Sequence, residues 1–364
     1  MTHCEIKFDG NPLGIFQSGQ TLSGCVELRL VKPKKISGFI LTLSGNAEAK
    51  WSENHDKDTT TYTGNEVLLT SESVLVSPSY GETIEMPAGL HVYNFSCVLP
   101  PHLPSSYEGK HGRIRYTASA VLVRPWKFNQ SCKVAFTVLR PFDPSQFPEL
   151  RNSINLEQVI TFCCWPCRSR PLLITVGTPM NGYVAGQIVD IVVTLDNRSS
   201  VSVFGVTSKL KRTVYFISQR PSKKTKEVTE TLSTVRSDTY DDNATRCLQK
   251  LEIPCVVPTT SSSILIINYK LFITIEVDGC HRNPKFQIPI IIGTVPFINR
   301  NYGTFANVSS PSAPPLAPDE LPPPTFEEAM NATPVNVNDD ENAIGSQPYV
   351  PRYPVYKFET LKKC

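Results

Sequence analysis

The chain has 364 residues, of which 40% are hydrophobic and 19% charged, with a formal net charge of only +3. That length can bury two ordinary globular cores, and so balanced a composition excludes a disordered chain and a nucleic-acid reader that works by bulk charge. Proline is in excess, 31 against 19 glycines, so helix interiors should be scarce and extended segments plentiful.

The opening MTHCEIKFDG carries neither a basic n-region nor an apolar h-region, and no apolar run approaches the roughly 18 residues of a spanning helix. A cytosolic protein is expected. Eleven cysteines spread from Cys4 to Cys364 suit buried thiols under reducing conditions better than a disulfide framework.

Strands follow from period-two alternation. Val26, Leu28 and Leu30 begin it. Phe39, Leu41, Leu43, Gly45, Ala47, Ala49 and Trp51 then alternate with Thr42, Ser44, Asn46, Glu48 and Lys50 in one long half-buried strand. Ile114, Tyr116, Ala118, Ala120 and Leu122 make another. A proline-bearing connector, Arg140 to Glu149, leads to Phe162-Cys163-Cys164-Trp165-Pro166-Cys167. Beyond it come Leu172, Ile174, Val176; Ile191, Val193, Leu195; a second long strand at Leu265, Ile267, Tyr269, Leu271, Ile273, Ile275, Val277; and Ile288, Ile290, Ile292. Turn chemistry such as Asp9-Gly10-Asn11-Pro12, Asn181-Gly182 and Asp278-Gly279 separates them. Many short strands without helices predict an all-β chain of packed antiparallel, immunoglobulin-like sandwiches.

The two halves echo each other. Phe16-Gln-Ser-Gly19-Gln20 before Val26 and Leu28 matches Tyr183-Val-Ala-Gly186-Gln187 before Val193 and Leu195, at an offset of 167 (183 minus 16). Ile114-Arg-Tyr116 matches Ile267-Asn-Tyr269 at an offset of 153 (267 minus 114). Two homologous β-domains with unequal loops are the inference. The division predicted is 1–150 and 171–298 for the lobes, a Cys/Pro-containing linker at 151–170, and a disordered acidic, proline-rich tail at 299–364. From Pro311 to Cys364 the tail holds 11 prolines in 54 residues; its 4 basic and 8 acidic side chains give −4 and leave +7 on the rest.

No Gly-x-Ser-x-Gly, His-Glu-x-x-His, P-loop or dinucleotide fingerprint is present, and the six histidines stand apart, so no enzyme, no cofactor and no catalytic residue is expected. Cys164 and Cys167 form half a zinc motif beside Cys163, without a second pair, so no metal is assigned. Basic clusters lie at Lys32-Pro-Lys-Lys35, Lys209-Leu-Lys-Arg212 and Lys223-Lys224-Thr-Lys226. Lys223, Lys224 and Lys226 are candidate contacts for anionic lipid or phosphate, with a solvated loop as the plainer reading.

Asn11-Pro-Leu-Gly-Ile-Phe, Pro104-Ser-Ser-Tyr-Glu-Gly-Lys-His-Gly-Arg-Ile-Arg-Tyr, Arg124-Pro-Trp-Lys-Phe, Gly182-Tyr-Val-Ala-Gly-Gln, Gly279-Cys-His-Arg-Asn-Pro and Ile292-Gly-Thr-Val-Pro-Phe resemble the arrestin domain-containing proteins, the α-arrestins. The likeness runs from about Cys4 to Phe297. It implies two arrestin-type β-sandwich lobes and adaptor work in the cytosol, linking membrane receptors or transporters to HECT-type ubiquitin ligases, endocytosis and protein transport.

Where the family carries Pro-Pro-x-Tyr for ligase WW domains, this chain has Pro322-Pro323-Pro324-Thr325-Phe326. Such a peptide binds because polyproline II forms at little entropic cost and the tyrosine fills a second pocket. Phe326 keeps the ring and loses the hydroxyl, a loss of about 1–3 kcal/mol if the partner group is left unpaired. Pro322, Pro323, Pro324 and Phe326 are therefore the candidate, weakened, WW-docking residues. Pro348, Tyr349, Tyr353 and Tyr356 form a second candidate docking stretch. The alternative keeps the fold and drops the ligase, leaving a signalling or cargo scaffold with a vestigial tail.

Overall fold

The structure, a computed structural model, describes residues 3–55, 58–78, 82–164, 167–238, 244–296, 323–330, 333–337 and 348–358. Among the described residues strands dominate, with 3-10 turns at Pro144–Gln146 and Pro148–Arg151. No helix among the described residues is long and apolar enough to cross a membrane.

The first lobe contains β1 (His3–Phe8), β2 (Ile15–Gln17), β3 (Thr21–Leu30), β4 (Lys34–Ile36), β5 (Gly38–His55), β6 (Asp58–Val76), β7 (Ile84–Met86), β8 (Gly89–Val98), β9 (Tyr107–Gly109), β10 (Gly112–Val123) and β11 (Gln130–Leu139). One sheet runs β1-β3-β8; the facing one runs β2-β11-β10-β5-β6, with β9 added to β10.

The second lobe contains β12 (Ile154–Ile160), β13 (Cys163–Cys164), β14 (Cys167–Arg168), β15 (Leu172–Thr178), β16 (Gly182–Val184), β17 (Ile188–Asn197), β18 (Val203–Ile217), β19 (Thr225–Asp238), β20 (Ala244–Glu252), β21 (Thr260–Ser261), β22 (Leu265–Val277) and β23 (Lys285–Gly293). Its sheets run β12-β15-β17-β20 and β16-β23-β22-β18-β19, with β21 added to β22. β12 lies inside the stretch expected to be linker, yet pairs along its length with β15. The second sandwich thus takes in residues from Ile154 onward.

The alternating positions face inward as expected. Phe39, Leu41, Leu43, Ala47, Ala49 and Trp51 of β5 are buried, as are all seven alternate residues of β22. Gly45 interrupts the β5 series because a Cβ there would lie 2.4 Å from the Tyr116 ring.

The internal echo is a repeat of hydrogen bonds. Gln20 Oε1 accepts from the Gln17 amide at 2.9 Å, and Gln187 Oε1 from the Val184 amide at 3.2 Å. Gly19 and Gly186 sit at φ 84° and 85°, the left-handed region that favours glycine. The Tyr116 hydroxyl donates to the Pro104 carbonyl at 2.8 Å and the Tyr269 hydroxyl to the Val257 carbonyl at 2.5 Å. Both pairs are twelve residues apart. β2 with β11 and β16 with β23 are the matching parallel pairs of the two lobes.

The lobes meet through backbone and side chains. Thr63 and Arg220 exchange amide–carbonyl bonds at 2.8 and 2.9 Å; the Phe142 amide donates to the Thr294 hydroxyl oxygen at 2.8 Å, and the Thr294 amide to the Phe142 carbonyl at 3.0 Å. The Ser105 amide donates to Thr260 Oγ1, and the His111 and Phe216 rings meet edge to face. Gly112 permits that contact, since a Cβ there would be 2.8 Å from Phe216.

Candidate partner-docking tail and its groove

Of the tail expected to be disordered, 299–322, 331–332, 338–347 and 359–364 lie outside the described residues, and Pro322 with them. The described stretches of the tail contain four short strands. β24 (Thr325–Glu328) pairs antiparallel with β27 (Arg352–Val355), and β25 (Val335–Asn336) with β26 (Pro348–Tyr349). The reason lies in the tyrosines, whose rings need burial and whose hydroxyls need acceptors. A groove across both lobes supplies both.

On the first lobe, the Tyr349 hydroxyl reaches the Phe136 carbonyl at 3.2 Å and Thr137 Oγ1 at 3.3 Å. The Tyr353 hydroxyl donates to the Ser106 carbonyl at 2.8 Å, its side chain 1% exposed. On the second lobe, the Tyr356 hydroxyl donates to the Thr294 carbonyl at 2.7 Å and its amide to the Ala185 carbonyl at 3.1 Å. The Met330 amide donates to the Cys255 carbonyl at 3.0 Å. Tyr353 is thereby part of the same buried apolar cluster as the lobes. Gly186 allows the closest approach: a Cβ there would lie 2.1 Å from the Tyr356 carbonyl oxygen.

Burial sets the chemistry of the groove. It pushes the Tyr349 hydroxyl up to about 12 and Tyr353 well above the usual tyrosine range. Beside them Arg115 and Glu108 form a bidentate pair at 2.6 and 2.8 Å, with both side chains under 10% exposed. Arg212 lies over the Tyr107 ring and bonds Glu230 at 2.7 Å, while its Nε is buried without a hydrogen-bond partner. The arrangement binds and orients an extended peptide.

The sequence-derived candidates fall into three places. Pro323, Pro324, Thr325 and Phe326 lie on the outside, with β24 exposed along its length and Phe326 38% exposed, opposite Pro354 in the ladder. Tyr349, Tyr353 and Tyr356 are in the groove of their own chain, with Pro348 exposed at its mouth. The basic triplet is divided. Lys224 pairs with Glu53 of the first lobe and sits 5.0 Å over the Tyr62 ring, while Lys223 is exposed and Lys226 partly buried. Among the described residues no cluster of three or more metal-ligating side chains occurs; the side chains of Cys163, Cys164 and Cys167 lie outside them. His281 packs on Phe162 at 4.8 Å between ring centroids.

Ser106, Thr137, Ala185, Gly186, Cys255 and Thr294, the receiving side of the groove, carry no sequence signal of that role. Only the repeated Gly-Gln turn at Gly186 marks one of them in advance.

A pair of tandem sandwiches related by an internal repeat and joined by hydrogen bonds between them defines a two-lobed β-sandwich protein. The family model described as arrestin (or S-antigen), N-terminal domain matches residues 4–145, and that for the C-terminal domain matches 168–297. The chain is 27% identical to arrestin domain-containing protein 17 of Caenorhabditis elegans over 319 residues, covering 81% of this chain and 71% of that protein. It is 28% identical to arrestin domain-containing protein 4 of Mus musculus (80% and 72% covered) and 22% identical to human arrestin domain-containing protein 1 (87% and 71%). The chain belongs to the arrestin domain-containing, or α-arrestin, family.

Proposed function

We propose that this arrestin-type adaptor links membrane receptors or transporters, held by its lobes, to HECT-type ubiquitin ligases recruited through Pro323, Pro324 and Phe326, and so to ubiquitination and endocytic transport. It works in the cytoplasm and is recruited to the plasma membrane or endosomes. The observation that supports this reading most is the placement of the Pro-Pro-Thr-Phe segment. It lies on the solvent side of the docked tail with Phe326 half-open, whereas the neighbouring aromatics Tyr349 and Tyr353 are sealed in the groove.

Titration of the full chain with an isolated WW domain tests it. Weak binding is expected, strengthened about ten-fold to a hundred-fold by Phe326→Tyr, which restores the hydroxyl. Absence of binding by both chains removes direct ligase recruitment. The docked tail itself favours a second reading, a cargo scaffold in which the tail only straps the lobes together. That reading predicts loss of lobe stability, without loss of any ligase, when the chain is cut after Gln347.

A further inference from the structure

The β10–β11 hairpin ends in Arg124-Pro-Trp126-Lys127-Phe128-Asn129. Trp126 is completely solvent-exposed and Phe128 is 79% exposed. A tryptophan normally buries most of its surface, so a fully exposed one beside an exposed phenylalanine needs a covering partner. The loop is also strained, since Trp126 has φ 58°, a left-handed conformation that bulky side chains avoid. Such strain survives only where the surroundings enforce it, and it gathers at functional sites.

The surroundings enforce it visibly. The Arg124 guanidinium donates through Nε to the Phe128 carbonyl at 2.8 Å and through Nη2 to the same oxygen, and the Arg124 amide donates to Asn129 Oδ1 at 3.2 Å. The hairpin is closed from within, so the two rings are held outward at no further ordering cost when they are covered.

The flank of the loop is cationic. Lys34 of β4 bonds Gln130 at the start of β11. Its ammonium is held below the usual lysine range, first by burial and then by the charges of Arg124 and Lys127. Lys127 is exposed, and Lys32 and Lys35 extend the same basic run, with Glu85 opposite Lys35 in the β4–β7 ladder. Val31, 61% exposed, precedes them. The loop stands at the Val123–Gly38 end of the β5–β10 pair, whereas the other lobe is met at the Gly112 end.

We infer that the Trp126–Phe128 hairpin is a membrane-docking tip, which seats both rings in the interfacial layer of an anionic phospholipid bilayer while Lys34, Arg124 and Lys127 meet the headgroups. Trp settles at the headgroup level because its ring is apolar and its N–H polar, and clustered cations add attraction to an anionic leaflet. The only cavity beside the rings is a shallow one formed by the loop's own Arg124, Trp126, Lys127 and Phe128 among the described residues, so rings and cations together match a charged fluid interface better than a shaped protein pocket. This tip is separate from the Lys223–Lys226 loop, where Lys224 is engaged by Glu53. It does not depend on ligase recruitment.

Flotation of the full chain with phosphatidylcholine vesicles and with phosphatidylcholine–phosphatidylserine vesicles tests the proposal, read together with tryptophan fluorescence. The native chain should float with the anionic vesicles, less so at raised salt, and its emission should shift to the blue. The double variant Trp126→Ser, Phe128→Ser should keep the native thermal unfolding midpoint, because those rings are solvent-covered. It should lose the blue shift and about ten-fold or more of the partitioning. Equal flotation of variant and native chain overturns the proposal, as does failure of the native chain to bind the anionic vesicles; in the latter case a protein partner covers the rings.

Discussion

Two glycines with nearly the same backbone show how much a single position decides. Gly19 and Gly186 both have φ near +85°, but a Cβ at Gly19 meets Pro101 no closer than 3.7 Å, whereas at Gly186 it strikes the Tyr356 carbonyl at 2.1 Å. Ala at either costs about 1–2 kcal/mol of left-handed strain. Only Gly186→Ala also expels the tail. Limited proteolysis should therefore cut the Gly186→Ala tail rapidly and leave the Gly19→Ala tail as resistant as native. Equal resistance would show that the tail does not depend on this approach.

Tyr353 and Tyr349 tie the docked state to pH. Their folded values are raised because burial favours the neutral hydroxyl. Their contribution is complete below the free tyrosine value of 10.0 and is lost as pH climbs from there toward about 12, the Tyr349 value. Tail protection from protease should be flat from about pH 6 up to the free tyrosine value of 10.0 and fall as pH rises beyond it. Arg115→Met removes one member of a pair buried on both sides and leaves Glu108 charged without its partner, a loss of about 3–5 kcal/mol seen as a lowered unfolding midpoint.

At the scale of elements, most of the fold is legible from alternation. β5 and β22 are visible because every second side chain packs between two sheets, so the apolar pattern is copied directly into the chain. The repeat is legible too, since Gly19-Gln20 and Gly186-Gln187 make the same turn. β12 is not, because Ile154, Leu156, Gln158 and Ile160 face a half-open edge and Val159 is 65% exposed.

The tail strands escape sequence reading for a different reason. Proline and acidic residues lower their hydrophobicity to that of unfolded chain, and the burial that orders Tyr353 comes from a groove assembled by distant residues of both lobes. The Trp126 tip is hidden in the opposite way. Its aromatic content suggests core, and only its position at a hairpin end puts it in water.

Phe326 faces Pro354 within the β24–β27 ladder. A WW domain reads its ligand as polyproline II and closes around the aromatic ring. Engagement must therefore peel β24 from β27, and affinity is reduced by the fraction of molecules in which the ladder is closed.

For the whole molecule, the lobes are joined by the Thr63–Arg220 and Phe142–Thr294 hydrogen bonds, and the tail contacts both of them, Tyr349 and Tyr353 on the first lobe and Tyr356 on the second. The tail thus straps the lobes through Tyr349, Tyr353 and Tyr356, while its β24 stretch, paired to that strap, carries the proposed ligase-docking residues, so that release of the strap would expose them. The direct test is to titrate one WW domain into the full chain and into its Tyr353→Ala variant, whose groove anchor is gone. Affinity about ten-fold or more higher in the variant is predicted; equal affinity in the two chains, or binding by neither, contradicts it.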